Sequence, residues 1–445
     1  MSVDALLRVM TLAEYNTRVV MFGTVTLGVA GGIIGVFLLL RGRALLADAV
    51  SHAALPGVAG MFIVLVYLEG PARSLPLLMT GALIAGLLGM GCVMVITRFT
   101  RISQDAALGI VLSVFFGFGA VLLSIVQKMR GAPAAGLNSF IYGRTASMVR
   151  TDALLIGVSA VAIILVALIL FKELRLVTFD PEFAAGDGWP VQRLDLLLMT
   201  LVVAVTVLGL QAVGIILIIA ILVVPAATAR FWTDSLRWMV VVSGLVGAGG
   251  AYLGTSISAV APRLPAGAVI VSVLGGCFVL SMLVGTRRGA IHLAAEHRRM
   301  ARTTLQQNLL RALFECEEEN ASRDGEQQLR YLRRSRGWSR RELQRAIAML
   351  RRRKLIYRIG DDGPWHFTER GRVEAGRVTR NHRLWEVYLL EHADLAPAHV
   401  DQGADFIEHV LGDALVAELE EALPRFGRTV PPSVHRLRRS PGGNA

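Results

Sequence analysis

The 445-residue sequence holds three cysteines, Cys92, Cys277 and Cys316, far apart and with no CxxC pair. That scarcity excludes a disulfide framework and a zinc knuckle. No G-x-x-x-x-G-K-[ST] stretch occurs, so the chain lacks the loop and lysine that cradle nucleotide phosphates and is no autonomous ATPase. Charge is sparse too: 18% of residues are Asp, Glu, Lys or Arg, against 54% hydrophobic. Soluble domains carry more charge and fewer apolar residues. The first long apolar run ends at Arg41-Gly-Arg43 rather than in small residues, so no cleavable signal peptide is expected.

What charge there is lies unevenly. Residues 1–290 hold 19 Lys/Arg and 12 Asp/Glu, whereas the shorter remainder, 291–445, holds 27 and 22. A membrane part followed by a soluble part is the expectation. A bilayer crossing needs about 20 apolar residues, and the apolar runs at 19–40, 44–68, 74–97, 105–127, 152–171, 194–210, 213–231, 237–256 and 267–286 predict nine spans. The sixth and seventh nearly merge, so eight or ten spans are also open. Arginine-bearing short loops set orientation: Arg41/Arg43, Arg98/Arg101, Lys172/Arg175/Arg193, Arg230/Arg237 and Arg287/Arg288 alternate along the chain. They place the N-terminus outside and the charged third in the cytoplasm. Lys128, Arg130, Arg144 and Arg150 count against that orientation. Glycines within the spans mark close helix packing, and Pro56 and Pro225 are expected to kink or break their helices.

One polar pair stands out in the second apolar run, "LADAVSHAALPG" at 46–57. Asp48 and His52 are four residues apart, hence on one helical face, with Ser51 beside them. Ionisable groups in a membrane segment are costly and mark an ion or substrate path. A carboxylate oxygen with an imidazole nitrogen suits a first-row divalent cation. A mutually satisfied pair joining two helices is the alternative, and spacing leaves both open.

The wider stretch Arg43-Ala-Leu-Leu-Ala-Asp-Ala-Val-Ser-His-Ala-Ala-Leu-Pro-Gly-Val58 resembles the signature of ATP-binding-cassette permeases that import zinc, manganese or iron. The likeness continues through Ile102-Ser-Gln-Asp-Ala-Ala-Leu-Gly-Ile110, Phe179-Asp-Pro-Glu-Phe-Ala184 and Val223-Val-Pro-Ala-Ala-Thr-Ala229. The resemblance implies that Asp48 and His52, with Ser51 adjacent, line the metal path. It also implies that Phe179, Asp180, Pro181, Glu182 and Ala184 belong to a helix coupling the permease to its ATPase. Asp180 suits a cap for a helix opening at Pro181. Ala184-Ala-Gly-Asp-Gly188 departs from the family's usual Ala-Arg-x-x-Gly, which puts the fit to the ATPase in question.

The charged third begins with a helical linker at 289–302, followed by helices at 303–319 and 325–336. Ser339-Arg-Arg-Glu342 is a capping box opening a third helix. Leu355–Ile359 and Trp365–Phe367 flank Gly360-Asp-Asp-Gly363, predicting a hairpin, and Thr368 suits the next cap. Three helices and a two-stranded hairpin make a winged-helix arrangement. Residues 323–383 carry 18 Lys/Arg and 7 Asp/Glu, while 384–424 carry none and 10. A basic face of this kind suits DNA phosphates, anionic lipid or a protein partner, with lipid or protein favoured for a tethered domain. Arg380-Asn-His-Arg-Leu-Trp-Glu386 and Asp405-Phe-Ile-Glu-His-Val-Leu411 resemble the metal-binding and dimerisation domain of iron- and manganese-dependent repressors. The resemblance makes His382, Asp405, Glu408 and His409 candidate regulatory metal ligands. It puts Asn308 and Arg311 at two further ligand positions, where a cation would repel a metal. Metal sensing and structural dimerisation both remain open.

The expected fold is an all-α polytopic membrane domain (1–288), the linker (289–302), a cytoplasmic winged-helix domain (303–372), a small helical metal-binding and dimerisation domain (373–430), and a disordered basic tail (431–445). The expected function is the permease subunit of an ATP-driven importer for manganese, zinc or iron, with no tightly bound cofactor. It is expected in a bacterial plasma membrane as a homodimer, with a separate ATP-binding subunit, an extracytoplasmic metal-binding protein and membrane lipid as partners. A membrane-tethered, DNA-binding metal regulator and a secondary metal transporter are the alternatives.

Overall fold

The computed structural model describes residues 15–68, 74–129, 148–260, 264–318, 324–360 and 362–392. The chain divides into two compact units, Met1–Leu293 and Ala294–Ala445.

The first unit is helical throughout its described residues: α1 (Tyr15–Leu40), α2 (Leu46–Tyr67), α3 (Leu75–Phe99), α4 (Gln104–Lys128), α5 (Arg150–Ile169), α6 (Phe171–Phe179), α7 (Pro181–Gly186), α8 (Val191–Val213), α9 (Ile215–Arg230), α10 (Leu236–Val260) and α11 (Ala266–Val284). Among the described residues eight helices are long and apolar enough to cross a membrane, and the remaining expected span, α9, is a shorter apolar helix. Gly214, at φ +84° and ψ 171°, ends α8 and starts α9, a conformation open to glycine alone. A side-chain carbon built on Gly209 would lie 2.1 Å from Ile218 Cδ1. Nine residues of continuous helix would span about 13 Å, so the chain doubles back at Gly214.

Pro56 and Pro225 do not break their helices: both lie inside continuous segments, α2 and α9. Neighbouring helices cover these points, as at Pro56, where the backbone of Gly119 on α4 approaches the ring closely.

Helix α1 sits at the centre, packed against α5, α8, α9 and α10, while α2 packs mainly on α3 and α4. The α1–α10 contact is backbone on backbone, Gly28 facing Gly247. Nearby the Ser243 hydroxyl donates to the Gly32 carbonyl at 2.7 Å, and the Thr24 and Thr255 hydroxyls lie 3.3 Å apart. Such polar contacts hold helices together where apolar side chains give no preference over lipid. Helices α4 and α11 leave most of their apolar surface uncovered.

The loop from α1 to α2 is pinned to α8. Arg41 and Arg43 both bond the Asp195 carboxylate, Arg43 Nη1 at 2.9 Å from Oδ1 and 3.2 Å from Oδ2, and Arg41 also donates to the Val177 carbonyl at 3.0 Å. Burial, and then the Arg43 charge, pull the Arg41 guanidinium down to about 10, so it stays cationic at neutral pH. Asp195→Asn leaves two half-buried guanidinium groups around a neutral amide. It is expected to cost about 1–2 kcal/mol, less than for a fully buried triad, read as a lower melting temperature in detergent.

The second unit holds α12 (Ala290–Glu318), α13 (Gly325–Arg336), α14 (Arg340–Arg352), β1 (Ile356–Arg358), β2 (Trp365–Phe367) and α15 (Glu369–His392). The expected linker and first tail helix are one continuous helix, α12, and the expected boundary at 372/373 falls inside α15. The capping box at α14 is present: Glu342 N–H donates to Ser339 Oγ at 3.2 Å and Ser339 N–H to Glu342 Oε2 at 2.9 Å. The hairpin pairs Ile356 with Phe367, Tyr357 with His366 and Arg358 with Trp365, and Gly360 takes the positive φ of its turn. Buried Gln328 clamps β2 to α13, accepting from Trp365 N–H at 2.7 Å and donating to the Trp365 carbonyl at 3.1 Å. Leu343, Ala346, Ile347 and Leu350 of α14 face a core with Leu309, Leu313, Leu332 and Phe367. Thr368 caps α15 as expected, accepting from Gly371 N–H at 3.0 Å.

Candidate functional site

Helix α2 begins at Leu46, which puts Asp48 in its first turn, where the helix dipole favours a carboxylate. His52 stands one turn further on, its Nε2 3.4 Å from Asp48 Oδ1, and both side chains are only partly covered. Metal–nitrogen and metal–oxygen bonds of about 2.0–2.2 Å at a tetrahedral angle put their two donor atoms about 3.4 Å apart. The pair therefore has the separation of two ligands sharing a cation, without any rearrangement of α2. The other ring nitrogen, His52 Nδ1, is buried with no hydrogen-bond partner among the described residues. Phe116, from α4, meets the imidazole edge-on, ring centroids 5.0 Å apart and planes at 87°.

Ser51 does not join this pair in the same way. Its hydroxyl is fully buried and donates to the Ala47 carbonyl at 2.7 Å, bonding within its own helix. Phe116 was not singled out by the sequence: a phenylalanine in an apolar run looks like any other core or lipid-facing residue. Among the described residues no group of three or more His, Cys, Asp or Glu side chains is placed to hold a metal ion. Asp48 and His52 therefore stand as a pair of possible donors, with no third among the described residues.

The second site is the short helix α7. Asp180 Oδ1 accepts from Phe183 N–H at 2.9 Å, and Pro181 fills the first helical position, as the sequence predicts. Ala184 is fully buried, whereas Glu182 is exposed and Phe179 and Phe183 present more than half their surface. The residues that depart from the family pattern have local roles: Asp187 accepts from Trp189 Nε1 at 3.0 Å, and Gly188 turns the chain at φ +83°. Beside the helix lies an open cleft of about 870 Å3, lined by Lys172, Arg175, Phe179, Trp189 and Arg237. Glu173, Asp180 and Asp234 also line it, so its charge is mixed, and uncovered aromatics beside such a cleft are features of a protein-docking surface.

In the second unit His382 is buried on α15. Asp405, Glu408 and His409 lie outside the described residues. On α12, Arg311 is fully buried, with Glu315 Oε1 3.3 Å from its Nε. A permanent cation does not suit Arg311 itself to a metal-ligand role.

Eight membrane-length helices among the described residues define a multi-pass membrane protein. The family follows from comparison. Residues 14–285 match the ABC 3 transport family, and the chain belongs to it. Residues 368–429 match the iron dependent repressor, metal binding and dimerisation domain. The manganese transport system membrane protein MntC of Bacillus subtilis (strain 168) is 38% identical over 392 residues, 88% of each chain, so the likeness runs into the second unit. The zinc transport system membrane protein TroC of Treponema pallidum (strain Nichols) is 42% identical over 289 residues, 65% of this chain and 95% of its own. Among solved structures, PsaBC from Streptococcus pneumoniae in complex with Fab aligns with a TM-score of 0.55 and 31% identity, over 63% of this chain and 96% of that one.

Proposed function

We propose that this chain is the membrane-spanning permease of an ATP-driven importer of manganese or zinc, with Asp48 and His52 the protein ligands of the passing ion. The observation that carries the reading is the 3.4 Å separation of carboxylate and imidazole on one face of α2, in a stretch that matches a transport family. Relatives named for manganese and for zinc transport support both metals, and the donor pair accepts either.

ATP hydrolysis belongs to a separate subunit that docks on α7 through Phe179 and Phe183, and an extracytoplasmic metal-binding protein delivers the ion. Helix α9, folded back at Gly214, makes a ninth crossing. The N-terminus is then outside, and the arginine-bearing loops and the second unit are cytoplasmic. Two donors per chain leave a metal's shell half filled, so a second copy of the chain completes it. The second unit has a winged-helix form and a dimerising role.

The test is co-expression with an ATP-binding subunit in cells lacking their own manganese and zinc uptake. Accumulation of one of the two metals is expected only when both polypeptides are present; uptake by this chain alone would make it a secondary transporter. Phe183→Ala is expected to cut that accumulation about tenfold by removing one apolar anchor worth more than 1 kcal/mol. The ATP-binding subunit should then fail to co-purify while the permease level stays constant.

A further inference from the structure

We infer that the second unit carries its cation in the chain: the Arg311 guanidinium stands in for the metal ion that its matched domain family is described as binding. Arg311 is among the largest fully buried side chains of the protein, with no exposed surface. A guanidinium is never neutral at physiological pH, and burying it is tolerated only where anionic and polar groups compensate it. Glu315, one turn further along α12, supplies a carboxylate at 3.3 Å.

The position of this charge is what gives it a role. The last turns of α12 are fastened to α15 on either side of Phe314, by Glu317 to Arg372 at 2.8 Å and by Glu318 to Arg383. Phe314 itself packs beside Gly376 and against the Phe367 ring. Helix α15 opens the stretch matched to the metal binding and dimerisation domain and carries buried His382. Arg311 lies three residues before Phe314 and about two turns before Glu318 on α12, so a fixed positive charge is already buried in the unit on the helix that these contacts tie to α15. A divalent cation entering there would work against a like charge in a poorly screened interior. Among the described residues no cluster of three metal-ligating side chains competes with this arrangement. The unit therefore reaches one folded state whether metal is scarce or plentiful, and acts as a constitutive assembly module rather than a sensor.

The inference rests on the repressor-domain match and not on the transport reading. Its test therefore uses the full-length protein in lipid nanodiscs, in an Asp48→Ala/His52→Ala background that removes the path ligands. Amide hydrogen exchange over residues 305–318 and 369–384 is followed with manganese, with zinc and with EDTA, and retained metal is measured after dialysis. The expected result is equal protection in all three conditions and no metal retained above background. Arg311→Met, which keeps much of the volume and removes the charge, is expected to lower protection of both segments about tenfold or more, an effect of about 1.4 kcal/mol. Arg311→Lys should keep most of it. The inference is overturned if EDTA lowers the parent's protection tenfold, if one metal per chain is retained and lost on His382→Ala, or if Arg311→Met leaves protection unchanged. Should Arg311→Met fail to fold, the metal and EDTA arms on the parent protein decide the matter.

Discussion

Asp48→Ala is expected to abolish accumulation of the transported metal, and His52→Ala to do the same. Each substitution removes one of the two proposed ligands, and removal of even an outer partner of a metal ligand costs about 10–100-fold in affinity or activity. A fall of about 100-fold or more is therefore expected for either, read as cell-associated metal per folded permease. Neither change should loosen the fold, because both side chains are partly open rather than buried, and the ATP-binding subunit should still co-purify. This separates transport from the structural alternative. A pair that merely joined helices would lose protein level and melting temperature in step with uptake. A Phe116→Leu variant keeps the ligands and removes the edge-on ring, so it offers a milder perturbation of the same imidazole.

Gly28→Ala is expected to damage the fold strongly for so small a change. A methyl on Gly28 would sit 2.4 Å from the Gly247 carbonyl oxygen, and one on Gly247 would sit 2.1 Å from the Gly28 carbonyl oxygen. Both obstacles are backbone, so no rotamer change relieves them and α1 must move away from α10. The hydrogen bond from Ser243 to the Gly32 carbonyl goes with it. Overpacking of this kind costs about 3 kcal/mol or more, expected as loss of the monodisperse protein in detergent and a strongly lowered melting temperature. Gly249→Ala, on the same helix with open space around it, should change stability by no more than about 0.5 kcal/mol. Equal effects from the two would sink the packing account.

Much of the fold can be read locally, and what cannot is long-range. Apolar run lengths locate every membrane-length helix, because a bilayer fixes the length it needs. The capping box at Ser339 and the hairpin around Gly360 are also visible, since each is decided within a few residues. The site pair is legible because Asp48 and His52 share one helix and one turn. Phe116 and Asp195 are not, because each meets its partner across more than 60 residues of chain with no period to announce it. Pro56 and Pro225 do not break their helices, since tertiary covering makes up for the backbone groups they free. The break at Gly214 falls close to the expected gap between the sixth and seventh runs, but the backbone angle that makes it is not legible in the sequence. The resemblance put Arg311 at a metal-ligand position; its complete burial is not legible in a helix that is otherwise rich in charge.

The Arg41–Asp195–Arg43 triad has a mechanical side. Asp195 stands nine residues beyond the end of α7, and Arg43 stands five before Asp48. A load applied to α7 by an engine outside the membrane would pass along the first turn of α8, cross to the loop by charge rather than by chain, and arrive at the base of α2. Since α2 is seated mainly on α3 and α4 rather than on α1, that ionic tie works as a drawbar. It would hitch the group of helices that carries Asp48 and His52 to the segment taking the load.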